Sequence, residues 1–584
     1  MKKITFVGKI YKRGDIVTIA KTIRDISGIN KADRLFWILL FIWIFCDMFQ
    51  AIHMEVMSDE AYYALYGQYL AWGYYDHPPM VALINFLSKC LFSGNLSVRF
   101  INVLMHAGTV WIVWKMLPGK KSVLHVLSFF AIATSFIMFS AYGFITTPDG
   151  PLLFFAAAFL FFYKRFLEKE SWQNTLFLTL SMVGMFYSKY HAVLVVGFVV
   201  LSNLRLLLKP KFWFCIFTTI LLFLPHIYWQ VSNNFPSFRY HLVGRSEGFV
   251  FINLLKYFPE QFVVFNPVAL TGVLYILIKK KQEGLFDRAL YFLIAGFLFF
   301  FQVMTLKGRV EPHWTVVATL PMIIVLYKVS LQEPRFGKIF LKSILWTLPL
   351  ILVARVLLVA NVLPESFALN GKEKRYLAIE KVAGSLPVVF DGSFQDPSLY
   401  RFFTGREAFT VSSPSTRTTQ FDIWGFDKLY QDSAAFIFSE IESAKKYNID
   451  GKEFSGFKVQ HLQTTNQVRI RYSGVPDKVC AGDTLRIHYT MMNPYLNNIN
   501  MEHLELPVEF CSVYNGPDYV ITTSPCFSTP ELRILKASET IEGDLLTVVP
   551  AVVPDSEYLF GLSLKTSICI PYNSPYQKIE IIEK

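Results

Sequence analysis

The sequence predicts an α-helical polytopic membrane bundle of about eleven helices, followed by an extracytoplasmic C-terminal part with an α/β region and a β-sandwich-like domain. Composition, apolar runs and charge asymmetry carry that expectation. The 584 residues are 53% hydrophobic and 16% aromatic, with 56 Phe, and only 17% are charged. A soluble domain carries roughly 25% charge. Mean hydropathy is +0.38. Residues 1–364 hold 35 Lys and Arg against 17 Asp and Glu, whereas residues 365–584 hold 21 against 27. Disorder, a collagen-like chain and a small disulfide scaffold are excluded. The basic balance does not indicate nucleic acid, because the cations lie in short loops between apolar runs.

Segments of about 17–25 apolar residues are long enough to span a bilayer. They fall near 35–53, 97–117, 123–142, 150–167, 172–188, 190–208, 212–230, 261–279, 287–305, 314–330 and 337–360. Lys2, Lys3, Lys9, Lys12 and Arg13, then Lys115/Lys120/Lys121, Lys164/Arg165, Arg205/Lys209/Lys211, Lys279/Lys280/Lys281 and Arg335/Lys338 fall on one side of these crossings. The positive-inside rule makes that side the cytoplasm, with the tail after Val362 outside. The first apolar run is too long and too late for a signal peptide. The organisation expected is a cytoplasmic segment 1–34, a transmembrane domain 35–363, a small extracytoplasmic α/β region 364–456 and a β-rich domain 457–584.

The tail mixes short apolar runs, Leu386–Phe390 and Ala434–Phe438, with a helical stretch at Pro397–Phe403. Beyond Phe457, alternating segments such as Val468–Tyr472 and Thr484–Tyr489 read as strands. Cys480, Cys511, Cys526 and Cys569 lie here, either as one or two disulfides or as buried thiols.

The first loop outside the membrane, Ser58 to Pro79, is the most informative segment. Residues 59–72 read as a surface helix with Ser58 as N-cap. Tyr62, Tyr66 and Tyr69 share one face, near Asp59 and Tyr63. Asp59 and Glu60 either complement a helix dipole or place a carboxylate beside rings on which a sugar stacks. Thr147-Pro148-Asp149 is ordinary turn chemistry, yet a carboxylate between two spans is costly unless used. Arg99, Lys189, Lys307 and Arg309 stand at outer ends of spans, against the charge rule, as snorkelling side chains or as holders of an anionic ligand such as a lipid phosphate. His77, His191 and His313 lie nearby in the same loops. They leave room for a divalent metal, but no tight ligand spacing demands one, and no cofactor is firmly implied.

Together Asp59-Glu60-Ala61-Tyr62-Tyr63, Tyr74-Tyr75-Asp76-His77-Pro78-Pro79, Thr147-Pro148-Asp149, Ser188-Lys189-Tyr190 and Glu311-Pro312-His313-Trp314 resemble the polytopic GT-C glycosyltransferases. The likeness is to the protein O-mannosyltransferase and lipid A aminoarabinose transferase kind, over roughly residues 35–330. The resemblance implies an enzyme of the bacterial inner membrane that transfers a sugar, with inversion, from an undecaprenyl monophosphate. The acceptor would be lipid A, another glycan or a protein on the outer face. It assigns Asp59 as general base and Asp149 as the second acid. Lys189, and with it Arg99, Lys307 and Arg309, would hold the prenyl phosphate. Glu60, Tyr62, Tyr63, Asp76, His77, Tyr190 and His313 would line the substrates. His77 departs from the aminoarabinose transferases, which carry Lys before Pro-Pro. Two other readings are a lipid-linked sugar flippase, which should show repeats with broken helices, and a glycan ligase using a pyrophosphate-linked lipid. The ligase would draw on Arg239, His241, Arg245 and Lys256. Asp391, Asp396 and Trp424 either touch a glycan or are turn and core residues of the tail, and the second reading is preferred.

Overall fold

A computed structural model describes residues 31–119, 122–241, 248–360, 362, 371–413, 417–441, 444–516, 520–551 and 556–582. The basic segment before Lys31, Lys120, Lys121 and Arg245 lie outside the described residues.

The membrane part is a helix bundle: α1 Lys31–His53, α2 Ser58–Gln68, α3 Met80–Leu91, α4 Leu96–Met116, α5 Val123–Ser135, α6 Asp149–Glu168, α7 Trp172–Ser188, α8 Ala192–Ser202, α9 Pro210–Ser232, α10 Phe251–Phe265, α11 Pro267–Lys279, α12 Leu285–Met304, α13 Thr319–Gln332 (entered through a 3-10 turn from Pro312) and α14 Pro334–Ala360. Seven of these described helices are long and apolar enough to cross a membrane: α1, α4, α6, α9, α12, α13 with its 3-10 turn, and α14. The protein is a multi-pass membrane protein.

Each of the eleven expected apolar runs is helical, but four are short or broken. The run at 123–142 is interrupted at Phe136, which leaves the helical geometry with ψ 109°. That at 172–188 is the 17-residue α7. The run at 190–208 ends its α-helix at Ser202 and continues as a 3-10 turn. The run at 261–279 is part of a longer pair, α10 and α11, bent by 108°. The bend has a local cause. Asn266 sits at φ +79° and accepts the Val268 N–H on its side chain, while Pro267 opens the next helix. Proline at the first helical position sacrifices no backbone hydrogen bond.

One apolar core runs through the bundle, with α6 packed between α4 and α7. The first and last spans are joined by charge. Arg355 of α14 donates to Asp47 Oδ1 at 2.5 Å and to Gln50 Oε1 at 2.6 Å, both on α1.

The C-terminal part begins with α15 Lys372–Ala383, β1 Val388–Asp391, α16 Gln395–Thr404, β2 Ala408–Val411, β3 Ala435–Phe438, β4 Lys445–Ile449 and β5 Lys452–Val459. These strands form one sheet in the order β2-β1-β3-β5-β4, parallel across β1 and antiparallel beyond β3. The β-rich unit follows: β6 Arg469–Ser473, β7 Lys478–Cys480, β8 Thr484–Met492, β9 Glu509–Asn515, β10 Ile521–Thr529, β11 Thr540–Val548, β12 Ser556–Lys565 and β13 Gln577–Ile582. Its order is β6-β8-β11-β10-β9-β12-β13-β7. β10 pairs through Ile521–Pro525 with β9 and through Cys526–Thr529 with β11, so the sheet curls over a shared core in which Tyr489 meets Phe510. All seven cysteines are free thiols, with Cys511 and Cys526 on neighbouring strands.

The α/β unit is packed onto the bundle. Tyr62, Leu65, Tyr66 and Tyr74 share one apolar cluster with Val389, Phe409, Phe421 and Phe426, and Val56, Ala61 and Val98 share another with Tyr376, Val388 and Phe390. Glu55 accepts the N–H groups of Gly371 and Lys372 at the start of α15.

Candidate active site

The site is built on the loop from Met54 to Pro79. α2 starts at Ser58 with Met57, not Ser58, as the cap. Glu60 Oε2 accepts the Met57 N–H at 3.0 Å, which satisfies an orphan donor of the first turn that the Ser58 hydroxyl was expected to serve. α2 also ends at Gln68, four residues before the expected limit. The Tyr74 ring stacks on Tyr66 at 4.0 Å, and its hydroxyl accepts from Ala71 N and lies 2.9 and 3.0 Å from the carbonyl oxygens of Tyr66 and Tyr69. A side chain thereby takes the place of the next helical turn.

Three of the four acids on this face are locked in ion pairs. Glu60 is buried against Arg99, with Nη2 2.5 Å and Nε 2.8 Å from its oxygens, and its Oε1 also accepts the Thr146 N–H at 2.8 Å. That last bond ties the first loop to the Thr147-Pro148-Asp149 turn. Asp149 opens α6 and receives Lys189 Nζ on both oxygens at 2.8 Å, again in a buried pair. Asp76 is buried and takes hydrogen bonds from Tyr66 Oη at 3.1 Å and from Arg417. Asp59 differs. Among the described residues it has no ion pair, and it keeps exposed surface although protein walls surround it. Burial, and then the negative charge of Asp76, hold its carboxyl above the ordinary carboxylate range, while Arg417 pulls the other way and the Gln395 side chain hydrogen-bonds to it.

The remaining candidates separate into groups. Arg99 has no exposed surface, and its other donors go to the carbonyls of Ala51, Met54 and Glu55. All five N–H groups are engaged, so it braces Glu60 and does not reach a phosphate. Tyr62 is also withdrawn from a sugar-stacking role: it is buried, Phe394 covers its ring at 4.2 Å, and its hydroxyl accepts from Gln420 N. Tyr63 packs edge-on to His77 at 5.6 Å. Tyr190 Oη bonds His226 Nε2 and accepts from Gln230. His191 lies near Lys189, His241, His313 and His77, beside the Asp149 turn. Lys307 and Arg309 are exposed at the end of α12, with Arg309 3.9 Å from Glu311. No three or more His, Cys, Asp or Glu side chains are grouped to hold a metal ion among the described residues.

Sequence reading expected the tail to cover the acceptor site or to stabilise the outer face, but it missed the tail residues that reach this loop. Arg417, Gln395, Gln420, Thr418 and Phe394 all reach the Met54–Pro79 loop; Gln420 Oε1 accepts from Tyr75 N at 2.8 Å, and Thr418 bonds the Tyr75 hydroxyl. The one available signal was charge. Asp59, Glu60 and Asp76 crowd a loop without Lys or Arg, and a buried acid needs a partner from elsewhere. Trp424 is a core residue, packed on Tyr66, Tyr69 and Phe426, and Asp396 accepts from Tyr376 Oη.

A helical membrane bundle thus gathers acids and cations on one face beneath a mixed C-terminal domain. Comparisons with known proteins specify it further. Residues 76–229 match the family described as dolichyl-phosphate-mannose-protein mannosyltransferase. The lipid A galacturonosyltransferase RgtD of Rhizobium johnstonii is 23% identical over 287 residues, which cover 45% of this chain and 58% of that protein. The match therefore spans less than two thirds of the curated relative. Crystal structures of ArnT from Cupriavidus metallidurans share the fold, in the apo state with TM-score 0.51 at 13% identity, and bound to undecaprenyl phosphate with TM-score 0.52 at 14% identity. Both cover 72% of this chain and 97% of ArnT. The chain is thus similar over these stretches to glycosyltransferases of the ArnT and PMT kind, and it shares the fold of ArnT.

Proposed function

We propose that this protein transfers a sugar from a polyprenyl monophosphate to an acceptor hydroxyl or phosphate at the outer face of the bacterial inner membrane, with Asp59 as the general base. The N-terminus would be cytoplasmic and the C-terminal domain periplasmic. The observation that carries the reading is the isolation of Asp59. Its neighbours Glu60, Asp76 and Asp149 are each paired with a cation, and Asp59 alone among them has no ion pair among the described residues.

Asp59 takes the proton of the acceptor as the acceptor oxygen bonds to the anomeric carbon. The bond from that carbon to the phosphate oxygen breaks, and the polyprenyl phosphate leaves with the electron pair. A carboxylate suits the proton step because burial tunes its affinity upward toward neutral pH. The leaving phosphate needs fixed positive charge in a water-poor place. Lys189 supplies it, with His77, His191, His241 and His313 around it, while Asp149 holds the Lys189 ammonium in position. Glu60 and Arg99 fix the loop that carries Asp59. The fold of ArnT bound to undecaprenyl phosphate supports the donor class, and the match to a lipid A galacturonosyltransferase supports a lipid or glycan acceptor.

The test is transfer of label from undecaprenyl-phosphate sugars to envelope acceptors by purified protein in nanodiscs, without ATP or an ion gradient. Asp59→Asn is expected to lower the rate about 100- to 10,000-fold, the range for removal of a general base, with the donor still bound. Equal rates would remove Asp59 from the mechanism. Movement of the lipid across a vesicle bilayer without transfer would identify a carrier.

A further inference from the structure

We propose that Arg417, contributed by the C-terminal domain, is an oxyanion-binding residue of this site and takes a phosphate or carboxylate group of the substrate on the donors that Asp76 leaves open. The inference rests on the glycosyltransferase reading above and adds a binding residue to it.

The argument starts from three arginines on this face. Arg99 has every N–H engaged and no exposed surface. Arg401 is nearly closed as well, with 6% of its side chain exposed and both terminal nitrogens bonded to Glu407, Ala408 or Tyr69. An arginine that only braces a fold ends this way, since a buried donor without an acceptor is costly. Arg417 does not. Its Nη1 bonds Asp76, its other donors carry no protein acceptor among the described residues, and 32% of its side chain is exposed.

The surroundings prepare that open edge for an anion. Phe394 lies 4.7 Å from the guanidinium carbon, Tyr240 4.8 Å and Tyr75 5.9 Å, so rings cover much of the group and thin its hydration. A partly desolvated guanidinium with two free donors in a fork matches a carboxylate or phosphate bidentately. Asp76 holds the fork in one orientation, so little rotamer freedom is lost on binding. The position is also functional: Arg417 is within electrostatic reach of Asp59, and His77 and His241 stand on the loops beside it. Two sources present this chemistry: the phosphate of the prenyl donor and an acid group on the transferred sugar.

The test measures binding to full-length protein in nanodiscs for native, Arg417→Gln and Asp76→Asn. Three probes are used: undecaprenyl phosphate, an undecaprenyl-phosphate uronic acid, and the matching neutral hexose. If the anion is the donor phosphate, Arg417→Gln weakens all three probes at least tenfold. If it is a sugar carboxylate, the loss is confined to the uronic acid. Asp76→Asn breaks the same ion pair but leaves the guanidinium, so it is expected to weaken binding clearly less than Arg417→Gln does. Unchanged binding in Arg417→Gln, or equal damage in both variants, would reduce Arg417 to a brace and overturn the proposal. Failure of native protein to bind any probe would instead overturn the donor assignment, and this proposal with it.

Discussion

Arg417 and Asp76 form an ion pair across 341 residues of sequence, and that pair sets the charge balance around Asp59. One carboxylate raises the proton affinity of Asp59 and one guanidinium lowers it, so the C-terminal domain participates in the ionisation of the proposed base.

The first prediction concerns pH. Asp59 acts as a base only when ionised, so kcat/KM falls as pH drops through its raised pKa. Asp76→Asn removes a charge that raises that pKa and leaves Arg417, which lowers it. The acid limb of the pH profile therefore moves to lower pH. Arg417→Gln moves it to higher pH. The check is kcat/KM against pH for the three proteins; shifts of the same sign in both variants would contradict the assignment.

Asp59 also has a stability signature. A carboxyl whose folded-state pKa lies above its unfolded value favours folding when protonated, and loses that contribution as pH rises through the folded pKa. Ionised Asp59 thus works against the fold at neutral pH. Asp59→Asn is expected to melt at or above the native temperature at pH 7, with the difference vanishing in acid below the ordinary aspartate range. Thermal unfolding in detergent at both pH values reads this out.

Glu60 and Arg99 predict a different phenotype. Breaking a buried pair from one side leaves an uncompensated charge and costs about 3–5 kcal/mol. Glu60→Ala also frees the Thr146 and Met57 N–H groups. This variant is expected to lose thermal stability and activity together, in contrast to Asp59→Asn, which loses activity alone. Melting curves and transfer rates on the same preparations separate the two.

Gly150 tests the second turn. A Cβ there would lie 1.9 Å from Asn102 Oδ1, and Asn102 Nδ2 holds the carbonyls of Tyr142 and Ile145 at 2.8 and 3.1 Å. Gly150→Ala must displace Asn102, at about 1–3 kcal/mol for each buried polar group left unpaired. The expected result is a lower melting temperature and weaker donor binding as Asp149 and Lys189 shift.

What the sequence made legible follows from range. Helical runs such as Lys31–His53 announce themselves through long apolar stretches, here the twelve consecutive residues Leu35–Cys46. The α10–α11 bend rests on one Asn-Pro step, and hydropathy averaging hides it. Asp59, Glu60, Asp76, Asp149 and Lys189 were identifiable because each sits in a polar interruption of an apolar sequence, and the fold does bring them to one face. Arg417 lies in a polar loop, Arg417-Thr418-Thr419-Gln420, that nothing local distinguishes, and only tertiary pairing reveals it. Arg99 misled for the converse reason: a cation at a span end looks available until its five acceptors are counted.

The link between α1 and α14 bears on how the protein is made. Asp47 lies in the first of the described bundle helices to be synthesised, and Arg355 in the last of them. A lone carboxylate at that depth is expensive, and its guanidinium partner is synthesised only after every intervening span. Until α14 is made, Asp47 lacks the guanidinium that pairs with it in the folded bundle. Loss of Arg355 would accordingly appear as a biogenesis defect, with intact early hairpins and clearance of the full chain by quality-control proteases, before any catalytic step is reached.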